Sequence, residues 1–239
     1  MENLKDLLSS SFRNLRRYDR GYLGLHLVIG LFVFAVMTLI LGEISEDIMN
    51  GPPITSADVQ LKDWLYTHRS SRLTTAFLII TSFGSTIPVS IIAITVGLYL
   101  LWRRQPYWLA AIWSSVFGGM LLNKYLKLLF YRPRPYFEDP ILVLTTYSFP
   151  SGHTMAATVL YGVLAVLLVT TIKRRGMKVL VVVSASCLIG LIGFSRMYLG
   201  AHYLSDVLGA FAEGLAWLSL CLTMVYSVWR QRNRMSDTL

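Results

Sequence analysis

Three short strings, far apart in the chain, hold the residue types that phosphoryl chemistry asks for. Six residues separate Lys127 from Arg134-Pro135; Pro150-Ser151-Gly152-His153 comes next; Ser195-Arg196 then precedes His202 and Asp206. Cations and backbone N–H groups can grip a phosphate. One imidazole can attack phosphorus, and a second can protonate a leaving oxygen.

Each string also has an ordinary structural reading. Cations at the end of an apolar run fit snorkelling and headgroup contact, so Lys127, Arg132 and Arg134 by themselves are a weak signal. Pro150 favours a stop in the preceding loop, Ser151 is placed to cap the apolar run starting at Thr154, and Gly152 permits close backbone approach. The free N–H groups of that helix start form an anion site, although a capped span with an incidental histidine fits the same residues. The third string is the most specific. Gly200 allows a tight reversal, and His202 and Asp206, spaced i, i+4 at the opening of the last span, fall on one helical face. A carboxylate so placed fixes the tautomer of the imidazole and raises the nucleophilicity of its other nitrogen.

Membrane helices must bring these strings together. The 239 residues are 54% hydrophobic and only 15% charged, where soluble domains carry about a quarter. The charges sit between long apolar runs near 22–42, 77–101, 107–126, 154–172, 179–199 and 203–228, each on the scale of a bilayer crossing. The sequence therefore predicts an all-α polytopic membrane protein with six transmembrane helices, forming one domain over 1–239. The second run carries Gly84-Ser85 and Pro88 and is expected to bend; the third loses its apolar character at Lys124 and Lys127. With six crossings, parity alone puts all three strings on one face.

Lys and Arg set the orientation. Segments 1–20, 102–106, 173–178 and 229–239 hold most of them, while the cations of the opposite side are matched by acids. The net charge of +9 is thus read as a cytoplasmic-face excess, with both termini inside, and not as a nucleic-acid footprint. Residues 4–18 space Leu4, Leu7, Leu8, Phe12 and Leu15 for an amphipathic helix on the inner leaflet, and a frayed polar terminus fits the same residues equally. The first span follows 20 mostly polar residues with no small-residue cleavage site after it, and is expected to be a retained anchor. In the outer loop Ser56 is placed to cap a short helix carrying Val59, Leu61, Trp64 and Leu65, anchored at the interface by Trp64 and Tyr66. Cys187 and Cys221 fall inside spans and build no disulfide framework or metal cluster. Glu213 lies midway along the last span, where an interhelical hydrogen bond is its first reading, and His26 and His68 are read as structural.

Read together, K-x6-R-P, P-S-G-H and S-R-x5-H-x3-D resemble the signature of the type 2 phosphatidic acid phosphatase family, with every fixed position matched. The signature-bearing core runs from about 77 to 228. The resemblance implies hydrolysis of a membrane lipid phosphate or pyrophosphate: undecaprenyl pyrophosphate, phosphatidylglycerophosphate or phosphatidate. By the same resemblance His202 attacks phosphorus to form a phosphohistidine, oriented by Asp206, and His153 protonates the leaving oxygen and then activates water. Lys127, Arg134 and Arg196 clamp the nonbridging oxygens, helped by Ser151 and the Gly152 N–H. No metal or other cofactor is expected, since three fixed cations and a helix N-terminus supply the charge. The expected partners are the bilayer and its lipids, and the expected site is the outer face of the cytoplasmic membrane. A lipid phosphotransferase using the same residues and a non-catalytic phospholipid-binding protein remain the rivals.

Overall fold

The computed structural model describes residues 21–51 and 54–236. The amphipathic segment expected at 4–18 lies outside the described residues. Nine α-helices appear among the described residues: α1 Gly21–Asn50, α2 Ile54–Thr67, α3 Ser71–Ser82, α4 Thr86–Trp102, α5 Pro106–Trp113, α6 Gly119–Phe130, α7 Gly152–Thr171, α8 Arg175–Tyr198 and α9 Leu204–Ser236. A π-helical turn, Ser114–Gly118, joins α5 to α6.

Five stretches are long and apolar enough to cross a bilayer: Leu25–Asn50, Ser71–Trp102, Gly152–Thr171, Arg175–Tyr198 and Leu204–Arg232. The run from α5 to α6 is the remaining one predicted as a span. Its backbone never leaves helical dihedrals, with φ −70, ψ −40 at Trp113 and φ −62, ψ −41 at Gly118. The π turn divides it into shorter pieces, a feature that hydropathy does not report.

Helix ends depart from hydropathy ends for a physical reason. α1 continues to Asn50, well past 42, through Glu43, Glu46 and Asp47, because acids stop the hydrocarbon and not the helix. The second run starts earlier than expected, at Ser71, and breaks at Phe83-Gly84-Ser85, between α3 and α4. Pro88 sits in the first turn of α4, where its missing N–H has no intrahelical partner to lose. Gly84 is there for proximity: a Cβ would stand 2.9 Å from the His153 carbonyl oxygen. Ser56 does not cap α2, because that helix already begins at Ile54.

α7 is the hub. Thr154 through Leu160 are buried without exception, and Met155, Ala156, Val159, Leu160 and Val163 meet Val89 and Ala93 of α4, Ile112 of α5, and Ala210 and Leu218 of α9. α6 shows two faces. Leu121, Tyr125 and Leu128 are exposed, whereas Asn123 is buried and Lys127 points to the same side one turn on. Asn123 Nδ2 donates to Glu213 Oε2 of α9 at 2.8 Å, the interhelical bond that the sequence suggested for Glu213. α2 leaves Trp64 and Tyr66 exposed, and its other face packs on the protein. Leu65 is buried against Tyr198 and Leu199, and Asp58 is 1% exposed, so this helix docks on the protein.

Replacing Asn123 with alanine removes the donor and leaves Glu213 in the core without it. The expected loss is about 1–3 kcal/mol of stability, read as a lowered thermal midpoint in detergent. Glu213→Gln, which can still accept from Asn123, is expected to lose less.

Candidate active site

The three strings meet at one end of the bundle. The approach of Arg134 Nη1 to His202 Nε2, 3.3 Å, joins the first string to the third. Ser151 N–H donates to the Asp206 carbonyl at 3.0 Å, joining the second to the third. Gly152 lies beside the Lys127 stem, since a Cβ there would be 3.8 Å from Lys127 Cε.

His202 is placed by a turn and not by a helix face. α9 begins at Leu204, two residues after the histidine, so the expected shared helical face is replaced by a capping geometry. Asp206 occupies the third helical position, and its Oδ2 accepts the Tyr203 N–H at 2.9 Å, the reach-back of a capping box. The same oxygen lies 3.3 Å from His202 Nδ1 and accepts the Ser148 hydroxyl. From the other side, α8 holds the loop: the Arg196 carbonyl accepts the N–H groups of Ala201 at 3.0 Å and His202 at 3.3 Å. Gly200 makes the reversal, with φ +71, and a Cβ there would collide with Arg69 and Phe137.

The tautomer follows from these partners. Arg134 has only donors to offer, so His202 Nε2 faces it as a lone pair and Nδ1 carries the proton toward Asp206. Burial pushes the His202 imidazole down to about 3; its bond to Asp206 and that residue's charge oppose this, while Arg196 and Lys127 add to it. The ring is therefore neutral near pH 7, with a basic nitrogen aimed at a cluster of positive charge.

That cluster consists of Lys127, Arg134 and Arg196, and among their hydrogen bonds the acceptors are neutral. Lys127 Nζ donates to the carbonyls of Tyr147 at 2.8 Å and Ser148 at 3.1 Å. Arg134 donates to the carbonyls of Thr146 and Ala201 at 2.6 and 2.7 Å and to the Thr146 hydroxyl at 2.8 Å. Arg196 Nη1 donates to the Thr81 hydroxyl at 3.0 Å, while its buried Nε has no hydrogen-bond partner among the described residues. Burial lowers the pKa of Arg134 from the usual guanidinium value. A dianion fits such a pocket far better than water does.

His153, half-buried in the first turn of α7, lies within electrostatic range of Arg196, His202, Arg134 and Lys127. Ser151 caps α7 by position only: its hydroxyl accepts from Thr154 Oγ1 at 3.0 Å and makes no capping bond. Four contributors escaped the sequence reading: Ser148, Thr81, Thr146 and Asp58. For Asp58 a signal was present, because it shares a helical face with Leu61 and the buried Leu65, where an acid is out of place. Arg132, noticed only as one more cation, is buried and donates to Asp206 Oδ1 at 2.6 Å and Asp58 Oδ2 at 2.7 Å.

Known proteins resemble this chain in sequence and fold. Residues 107–230 match the PAP2 superfamily. The chain is 37% identical to phosphatidylglycerophosphatase B of Bacillus subtilis (strain 168) over 138 residues, 57% of this chain and 67% of that protein. It is 27% identical to undecaprenyl-diphosphatase BcrC of the same organism over 147 residues, 60% and 70% of the two chains. Among solved structures, a transmembrane PAP2 type phosphatidylglycerolphosphate phosphatase from Bacillus subtilis superposes with a TM-score of 0.74 at 27% identity, covering 84% of this chain and 97% of that one.

A depressed imidazole gives a direct test. An ordinary histidine takes up a proton near pH 6.5; His202 is expected to stay neutral as the pH falls, until it approaches about 3. Histidine nitrogen shifts followed in the purified protein, with His202→Ala as the assignment control, check this; uptake by His202 near neutral pH contradicts it.

Proposed function

The chain belongs to the PAP2 superfamily and is a lipid phosphatase, and on that premise we propose that it hydrolyses lipid phosphates through a phosphohistidine at the outer face of the cytoplasmic membrane. The observation that carries this reading is the His202 ring, its Nδ1 on Asp206 and its unprotonated Nε2 against Arg134 of the cationic cluster. Lys127, Arg134 and Arg196, with the Gly152 N–H and Ser151 beside them, form the phosphate clamp. Phosphoryl transfer asks for this: alignment of the attacking group and stabilisation of charge on the equatorial oxygens.

In the first step the Nε2 lone pair of His202 bonds to phosphorus as the bond to the leaving oxygen breaks, and His153 gives that oxygen its proton. Asp206 orients the ring and stabilises its positive charge. In the second, His153 takes a proton from water, whose oxygen bonds to phosphorus as the N–P bond breaks, releasing phosphate and restoring His202. The clamp carries the charge in both steps, so the proposed mechanism is independent of metal ions.

The substrate class follows from the relatives. Phosphatidylglycerophosphate leads, undecaprenyl diphosphate comes next, and phosphatidate completes the panel. Six crossings are proposed, formed by α1, the α3–α4 pair, the α5–α6 run, α7, α8 and α9. Both termini then lie inside, because Arg103, Arg104, Lys173, Arg174, Arg175 and Lys178 flank the end opposite the site.

Protein purified in detergent with excess chelator is expected to release phosphate from phosphatidylglycerophosphate, and strict dependence on an added divalent ion contradicts the cationic clamp. His202→Ala is expected to lose on the order of 10³-fold or more in kcat with protein abundance unchanged, and His153→Ala about 10²–10⁴-fold. Release of phosphate from a single lipid distinguishes hydrolysis from transfer to a second lipid. Labelling of cysteines introduced on either side of α7 tests the orientation.

A further inference from the structure

Asp206 is held on both oxygens. Oδ2 serves His202 Nδ1, the Ser148 hydroxyl and the Tyr203 N–H. Oδ1 takes Arg132 Nη1 at 2.6 Å. With four donors the carboxylate has no rotational freedom left. Arg132 in turn spans two acids, its second arm reaching Asp58 Oδ2 at 2.7 Å. Ser205 closes the ring: its hydroxyl accepts from Arg132 Nη1 at 2.6 Å and donates to Asp58, and its N–H donates to Asp58 Oδ1 at 2.9 Å. The Arg132 guanidinium also lies over the Tyr203 ring, 4.6 Å from its centroid. Asp206, Asp58 and Arg132 are 0%, 1% and 8% exposed.

A buried ion triad is a poor way to stabilise a fold, because desolvation consumes most of the attraction. This one is spent on the single carboxylate that touches the nucleophile. We propose that Arg132 and Asp58 are positioning residues of the reaction: with Ser205 they fix the Asp206 carboxylate, and through it the His202 ring, from the side away from the phosphate clamp. The outer helix α2, which supplies Asp58, is thereby part of the catalytic apparatus. The inference rests on the reading of His202 as the nucleophile.

Arg132 does a second thing. It pairs with both Asp58 and Asp206, so neither forms an ion pair with Lys127, Arg134 or Arg196. Lysine is not equivalent at this position. An ammonium reaches one carboxylate, whereas the fork reaches two at fixed spacing.

Asp58→Asn and Arg132→Lys, made in the full chain and purified in detergent beside the wild type, test the proposal. Phosphate release from phosphatidylglycerophosphate, affinity for inorganic phosphate and the His202 tautomer from nitrogen shifts are measured on each. Both variants are expected to lose on the order of 10- to 100-fold in kcat. KM and phosphate affinity are expected to stay within about twofold, the pattern of a lost transition-state contact. His202 should pass from a single Nδ1–H tautomer to a mixture. A kcat within about twofold of wild type, a parallel loss of kcat and phosphate affinity, or an unchanged tautomer in both variants overturns the proposal. If Asp58→Asn fails to fold, Arg132→Lys, which keeps the charge, decides on the same readouts. Should the wild type release no phosphate from any lipid, the functional reading fails, and the tautomer still decides whether Arg132 and Asp58 position the ring.

Discussion

Three positive side chains crowded out of water repel one another, and a site that needs them must hold them without cancelling them. Acids would hold them best and spoil them for a phosphate. Here Lys127, Arg134 and Arg196 are tied to carbonyls and hydroxyls, at Tyr147, Ser148, Thr146, Ala201 and Thr81. The buried acids pair with other groups: Asp58 and Asp206 share Arg132, and Glu213 accepts from Asn123. Neutral acceptors fix geometry at small electrostatic cost, and the unspent charge remains for a dianion. The rest of the structure serves this separation of charge.

Helix ends do the serving. α6 brings Lys127 out in its last turn, and Tyr131 in a left-handed conformation, φ 49, ends it. α7 delivers His153 and the N–H groups of its first turn at the head of a run of buried residues. α8 carries Arg196 in its last turn, and the Arg196 carbonyl holds the His202 loop while its side chain donates to Thr81. α9 carries Asp206 in its first turn, where one oxygen both closes the capping turn and holds the His202 ring. α7, α8 and α9 run on into apolar sequence of bilayer-crossing length, so the rigidity of the pocket is borrowed from packing deep in the bundle, where a buried run such as Thr154 to Leu160 leaves little room to shift.

Hydropathy and helical spacing made the helices legible, because a bilayer forces apolar runs of a readable length. The gathering of the three strings was legible for a different reason: parity fixes which loops share a face. What escaped the sequence is local geometry. The pairing of His202 with Asp206 was foreseen from i, i+4 spacing, yet it arises from a capping box before the helix starts, and spacing cannot tell the two apart. Ser56 looked like a cap because caps are assigned from residue type, and the helix chose an earlier start. Glu213 was visible because an acid inside an apolar span stands out, whereas Asp58 hid among the polar residues of a short loop helix. Only its register with Leu65 marks it as inward-facing.

The same helix that supplies a cation also supplies an oily wall, and this is why a lipid suits the pocket. On α6, Lys127 faces the site while Leu121, Tyr125 and Leu128 face outward. The distance between these environments is one helix diameter, about 10–12 Å with side chains. Beyond it, the connecting loop exposes Tyr131, Tyr136, Val143 and Tyr147, side chains that favour the headgroup boundary over bulk water. A soluble phosphate ester would gain nothing from such a surface. An amphiphile can keep its chains against α6 and place its phosphate among the cations, with no need to leave the membrane. In the proposed orientation, the clamp then reads how far the phosphate stands from the hydrocarbon, a property that phospholipid phosphates and polyprenyl diphosphates share.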